Sequence, residues 1–390
     1  MDHTIYLDNA ATTRVDDTVL AEMLPYLAQH YGNPSSSYSY GRAARIAVEN
    51  ARRSVAYQLG VKASNIFFTS GGTESNNTAI AAAVRDLGCT HIISSPVEHH
   101  AVLHSVEFYS QLHGVPYSMV AVSDAGIVDY ADLERQLKEQ AAAGKKCLVS
   151  LMHANNETGS MLDVKRVGAL CQEYGAIFHS DCVQTVGHYP LNLPDMGVHF
   201  ISGSGHKFHG PKGSGILYIA PGLAVKPFIH GGGQERNMRA GTECVHGIVG
   251  FARALELAME HYKTDSQHIG SLKAYMKKQL VASIPGVTFN GHDASLYTVL
   301  SVCFPKTEAS DNLLLRLDME GICVSGGSAC SGPSGGSHVM KALGKNESCT
   351  TIRFSFSKYN TTAEIDHVTE VLKIALGLHA PEGKPATTAC

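Results

Sequence analysis

A chain of 390 residues exceeds one ordinary hydrophobic core, so two domains are expected, and 44% hydrophobic with 17% charged residues suits a soluble globular enzyme. A formal net charge of −4 with no Lys/Arg-rich run argues against nucleic acid or an anionic membrane surface as the main partner. No run of about 18 apolar residues is present to cross a bilayer, and Met-Asp-His-Thr-Ile-Tyr-Leu-Asp shows no basic stretch followed by an apolar one, so no signal peptide is expected.

Ten cysteines stand at 89, 147, 171, 182, 244, 303, 323, 330, 349 and 390, without a CxxC pair. This is neither a disulfide framework nor a zinc pattern, and it fits a reducing, cytoplasmic setting in which most thiols fill core space. The 21 histidines show no HExxH or Cys/His ligand spacing, so no metal site is expected.

In chain order, residues 1–15 read as a lead-in containing the turn-like Asp8-Asn9-Ala10-Ala11-Thr12-Thr13. Helical patterns follow at about 16–30 and 41–59. Strands and helices then alternate: strand Ile66–Thr69, helix about 73–86, strand His91–Ser95, helix about 99–112, strand Val115–Val122. Next come helix about 131–142, strand Cys147–Met152, helix about 164–174, and strands Ala176–His179 and Gly215–Ile219. Such alternation predicts βαβ units, hence an α/β fold with a mostly parallel sheet covered by helices.

Beyond Gly231-Gly232-Gly233 the style changes. A helical stretch of about 244–282, broken near Thr264-Asp265-Ser266, precedes strands near 287–290, 297–304, 322–325 and 351–356. Helices are expected near 309–319, 337–343 and 362–377, which together suggest a smaller α+β unit. The expected division is residues 16–262 as a large domain, 1–15 with 263–379 as a small one, and 380–390 as a loose tail.

Several strand ends carry polar groups that the chemistry of a site needs. Ser70-Gly71-Gly72-Thr73-Glu74-Ser75 joins a strand to a helix, where free N–H groups favour an anion; a plain capped helix is the alternative. Asp181, after an apolar strand, is a carboxylate suited to a cationic partner such as a protonated pyridine nitrogen, or else a helix cap. Asn155-Asn156-Glu157 and Glu98-His99-His100 open onto the same sheet edge; an amide there bonds a ligand or holds a turn, and an imidazole stacks on a ring or is structural. In Ser202–Gly213, glycines crowd around Lys207; a lysine so held loses hydration and its amine can form a Schiff base, while a surface lysine in a turn is the alternative.

In combination these segments resemble the cysteine desulfurases, class V enzymes of the fold-type I pyridoxal phosphate (PLP) group. The resemblance runs through Asp8–Thr13, Gly32-Asn33-Pro34-Ser35-Ser36, Thr69–Ser75, Glu98-His99, Asn155-Asn156-Glu157, Asp181–Gln184, Ser204-Gly205-His206-Lys207 and Arg239-Ala240-Gly241-Thr242, nearly the whole chain. It implies the fold-type I transferase fold with a seven-stranded-type sheet and PLP as cofactor. Lys207 would carry the cofactor, Asp181 would face the pyridine nitrogen, and His99 would stack on the ring and shuttle a proton. Gln184 and Asn156 would bond near the phenolic oxygen. Gly72, Thr73, Ser204 and His206 would hold the phosphate, joined by Thr242 from the second subunit of a homodimer. Arg353, with Asn156, would receive the substrate carboxylate, a task for which guanidinium is the better fork.

The run Val324–Ser337 is built of small residues around one thiol, Cys330, without apolar periodicity to pack it, which points to a reactive cysteine. The resemblance implies that Cys330 takes sulfur from L-cysteine as a persulfide, leaving alanine, and passes it to a sulfur-acceptor protein such as an iron–sulfur scaffold. Gly327 and Gly335-Gly336 depart from the family pattern, which leaves the acceptor open. The alternatives are a selenocysteine lyase, another class V PLP aminotransferase, or a non-catalytic assembly protein on the same scaffold.

Overall fold

The computed structural model describes residues 4–326, 336–345 and 349–378. Its centre is a seven-stranded sheet of β2 (Ile66–Thr69), β3 (His91–Ser94), β4 (Tyr117–Met119), β5 (Cys147–Ser150), β6 (Ile177–Asp181), β7 (Phe200–Ser204) and β8 (Gly215–Ile219). The strand order is β2-β8-β7-β6-β5-β3-β4. The pairs from β7 through β4 are parallel, while β8 runs antiparallel to both β7 and β2. The strands β3, β5, β6, β7 and β8 are buried along their whole length, as strands of a sheet covered on both faces must be. This is the α/β architecture expected from the alternation of patterns.

Helices Gly72–Arg85 and His100–His113 pack on one another on one face, over a core of Ala79–Val84, Ile92, Val102, Leu148 and Phe200. A larger core holds helices Asp17–Ala28, Ser39–Gln58 and Val245–Glu260 against the sheet through Val48, Val55, Phe68, Phe178, Ile216 and Phe251. A separate apolar cluster joins helices Tyr262–Ser283, Leu313–Met319 and Thr362–Ala375 to an antiparallel sheet. That sheet is ordered β12-β10-β9 and built from β9 (Thr288–Asn290), β10 (Val299–Pro305) and β12 (Cys349–Ser355). The chain start contributes β1 (Ile5–Tyr6), which pairs in parallel with β11 (Ile322–Cys323).

Several boundaries differ from expectation. The strand β7 had no reading of its own, because Ser-Gly-Ser after Phe200-Ile201 looks like a turn; flanking strands on both sides supply the ladder that small residues cannot signal. The strand expected over Val115–Val122 shrinks to three residues at the sheet edge, and Val122 bridges Val128 instead. The long helix breaks at His261, not at Thr264-Asp265-Ser266. Cys303 and Cys349, read as free thiols, are joined by a disulfide between β10 and β12; pairing of distant strands carries no local sequence mark. Cys89, Cys147, Cys171 and Cys182 are buried and free, as core fillers.

Candidate active site

One cavity of 240 Å³ opens at the carboxyl ends of the parallel strands. It is lined by Gly72, Thr73, His99, Asn156, Asp181, Gln184, Ser204, His206, Lys207 and Arg353, together with Ala10, Ala11, Asn76 and Met152. The residues singled out from six separate stretches of sequence thus converge, as side chains at the switch edge of an open α/β sheet should.

The strand β2 delivers the chain to Gly71, whose φ of 153° suits glycine, and helix Gly72–Arg85 starts there. A Cβ on Gly72 would come within 2.6 Å of Val183 Cγ2, so only glycine lets this helix start pack against the end of β6. The first free N–H groups of the helix therefore face the cavity beside Ser204, buried at the end of β7.

Asp181 ends β6 and is nearly fully buried. Its Oδ2 accepts from Asn76 Nδ2 at 2.7 Å and its Oδ1 from the Val183 amide at 2.9 Å. Asn76 was not anticipated; a helix-interior asparagine, disfavoured on propensity, one turn beyond Gly72-Thr73 was the available mark. Its Oδ1 has no hydrogen-bond partner among the described residues.

His99 caps helix His100–His113, its Nδ1 accepting from the Ala101 amide at 3.0 Å. The neutral ring therefore carries its proton on Nε2. Burial holds its pKa below the ordinary histidine value, with Lys207 adding to the effect and Asp181 opposing it. His206 is pushed down to about 4 by burial and by Lys207, and its Nδ1 lies 3.1 Å from Thr12 Oγ1.

Lys207 closes a 3₁₀ turn, Gly205–Lys207, which follows β7 directly. Behind it Phe208 is buried edge-on against Phe251 with ring centroids 5.2 Å apart, fixing the turn. The Lys207 ammonium donates to the Ala10 and Ala11 carbonyls at 2.7 and 2.8 Å. Gln184 Nε2 donates to the same Ala10 carbonyl at 3.1 Å. The Asp8–Thr13 turn therefore acts as a holder for the lysine, a task its sequence did not show.

Arg353, on β12, is buried and reaches the cavity from the far side. Its Nη2 pairs with Asp8 Oδ1 at 2.7 Å and its Nη1 donates to the Asn156 carbonyl at 2.9 Å, while Nε has no hydrogen-bond partner among the described residues. Asp8 as its carboxylate partner was also unforeseen. Thr242 lies outside this cavity, exposed, in a separate hollow with Ser70 and Arg239. Cys330 falls outside the described residues. No group of three or more metal-ligating side chains occurs among the described residues.

The class-V aminotransferase family profile matches residues 5–368. The chain is 41% identical over 379 residues to "Cysteine desulfurase IscS" of Dictyoglomus turgidum, covering 96% of this chain and 94% of that protein. It is 43% identical over 373 residues to "Cysteine desulfurase 2" of Trichormus variabilis, covering 94% and 92%. Among solved structures, a NifS-like protein superposes with a TM-score of 0.88 at 38% identity, covering 97% of this chain and all of that one. "SspA in complex with cysteine" superposes at 0.80 with 31% identity, covering 92% and 100%.

The family's cofactor is PLP, and the residues present fit it. A helix start bared by glycine suits its phosphate. A buried carboxylate suits its protonated ring nitrogen, and a lysine lines the same cavity. With its fold, its cavity and its relatives in agreement, the chain belongs to the PLP-dependent cysteine desulfurases of the class-V aminotransferase family.

Proposed function

We propose that the protein removes sulfur from L-cysteine, releasing alanine and leaving the sulfur as a persulfide on Cys330. The observation that carries this reading is the single cavity in which Lys207, Asp181, His99 and Arg353 meet. PLP bound there supplies an electron sink for the carbanion at the amino-acid α-carbon. Arg353 takes the substrate carboxylate through a guanidinium already aimed by Asp8 and Asn156. The Lys207 amine, released from the Ala10 and Ala11 carbonyls, moves the α-proton. His99, neutral with a proton on Nε2, donates along the substrate side of the cavity. The Cys330 thiolate attacks the substrate sulfur, the Cβ–S bond breaks, and Cβ gains a proton on the way to alanine.

Thr242, exposed and apart from its own chain's cavity, is read as completing the phosphate site of a second subunit in a homodimer. The IscS names of the relatives support an iron–sulfur scaffold protein as the sulfur acceptor. Six of the eight described cysteines are free, which supports a reducing, cytoplasmic compartment, with the Cys303–Cys349 disulfide as the exception. Two separate apolar clusters support the division into residues 16–262 and a smaller unit of 1–15 with 263–379.

The test is incubation of the PLP-loaded protein with L-cysteine, following alanine and protein persulfide together. Both should form in equal amounts, and Cys330→Ala should retain the bound cofactor while losing persulfide and turnover. An unaltered Cys330→Ala enzyme would identify an aminotransferase-type activity instead.

A further inference from the structure

We propose that Glu157 and Ser337 form a positioning contact that governs how fast Cys330 receives sulfur, a role that rests on the reading of Cys330 as the acceptor thiol. The contact belongs to neither the cofactor nor the substrate set. It involves Ser337, seven positions after Cys330 in the chain.

Ser337 Oγ donates to Glu157 Oε2 at 2.5 Å and accepts from the Met340 amide at 3.0 Å, so one hydroxyl both caps helix His338–Ala342 and ties it to Glu157. His338 Nε2 donates to the Glu98 carbonyl at 2.8 Å. Val339, Met340 and Leu343 pack on Val97 and Val122. The helix is thereby seated on the residues immediately next to His99 and Asn156, two walls of the cavity.

On the entering side, Ser325 and Arg353 exchange both backbone hydrogen bonds, at 2.7 and 3.3 Å. The Arg353 guanidinium bonds the Asn156 carbonyl, one residue before Glu157. Arg353 is therefore linked to both ends of the stretch between Gly326 and Gly336: directly to the first, and through Asn156-Glu157-Ser337 to the second.

Glu157 itself is buried, its Oε1 has no hydrogen-bond partner among the described residues, and burial raises its pKa against the pull of Ser337, His338 and Arg353. A plain helix cap needs no buried carboxyl on its far side, and burying one is costly unless it is fully hydrogen-bonded, which Glu157 Oε1 is not among the described residues. A nucleophile tethered at both ends reacts at a rate set by where the tethers hold it, and loosening one end lowers its effective concentration at the substrate sulfur.

The test uses the PLP-loaded enzyme and single-turnover mixing with L-cysteine, comparing parent, Ser337→Ala, Ser337→Thr, Glu157→Gln and Cys330→Ala. Ser337→Ala and Glu157→Gln should bind PLP and cysteine as the parent does, within about twofold, yet form Cys330 persulfide about tenfold or more slowly. Ser337→Thr, which keeps the hydroxyl, should recover most of the rate. Persulfide formation at the parental rate in Ser337→Ala would overturn the proposal, as would a loss shared equally by cofactor binding, cysteine binding and persulfide formation. Should Glu157→Gln not fold, the Ser337→Ala and Ser337→Thr pair decides alone. If Cys330→Ala still turns over, the acceptor reading fails; if only Cys330→Ala is silenced, the positioning role fails.

Discussion

The cavity has two unlike walls. On the sheet side, polar residues follow strands directly and each has a near-neighbour contact: Asp181 with the Val183 amide, His99 with the Ala101 amide and Lys207 in a three-residue turn after β7. To these Asn76 and the Ala10 and Ala11 carbonyls add distant partners. On the opposite side, Arg353 enters from β12 and is held by Asp8 and by the Asn156 carbonyl, partners from distant stretches that meet it only in the folded chain. The first wall is set largely by local geometry, and the second by tertiary packing. A substitution in the first should damage the chemistry itself, while one in the second should disturb placement of the substrate and leave the cofactor in its seat.

The largest effect belongs to the first wall. Lys207→Ala removes the proton-moving amine, and alanine formation from cysteine should fall by about 10³-fold or more. Borohydride treatment of the parent should fix the cofactor on Lys207, and an unlabelled Lys207 would break the comparison at its strongest point. Asp181→Ala comes next, with a loss of about 10²–10³-fold in kcat and weaker PLP retention on dialysis. It also leaves the Asn76 amide and the Val183 N–H without their acceptor, lowering stability by about 1–3 kcal/mol for each, measurable by urea unfolding.

This asymmetry also governs what could be read from the sequence. The sheet-side residues were legible because each sits at a strand end, where a polar or glycine-rich stretch after an apolar run has one structural meaning. Most of the alternating elements were legible for the same reason. The strand β7 was not, since Ser202-Gly203-Ser204 earns its place only through hydrogen bonds from both neighbours. The pairing of Asp8 with Arg353 spans 345 positions, and that of Glu157 with Ser337 spans 180, so no local pattern announces either. Arg353 was assigned through family resemblance, and its partners only through the fold.

Acid should weaken the whole fold by another route. His153, His179 and His188 are buried, and burial lowers each to about 4. They are neutral in the folded chain but titrate near 6.5 once unfolded. The unfolded state thus binds more protons between these values, and this contribution falls as pH drops from about 6.5 toward 4. Glu98 and Glu157 act oppositely: burial raises both, so their protonated forms favour folding below the unfolded value and that contribution fades as pH rises through the folded one. His206 and His209, also pushed down to about 4, act in the same sense as the three buried histidines, so the histidines set the direction and stability falls as pH drops below about 6.5. Unfolding midpoints measured in urea across pH 7 to 5 should decline accordingly, and a flat profile would show that the histidines are hydrated.

The smallest effect tests the far wall alone. Arg353→Lys keeps the positive charge but loses the fork that bonds Asp8 and the Asn156 carbonyl at once, and with it the planar seat for a carboxylate. Steady-state kinetics should show KM for cysteine rising about tenfold, equivalent to about 1.4 kcal/mol, with kcat and bound PLP little changed. Because Asp8 precedes the Ala10 and Ala11 carbonyls that hold Lys207, the two walls touch at this turn. Asp8→Asn should raise KM in the same direction, since the guanidinium then lacks its charged anchor. A fall in kcat with KM unchanged in Arg353→Lys would mean that the turn transmits the change to Lys207, so that the two walls act as one.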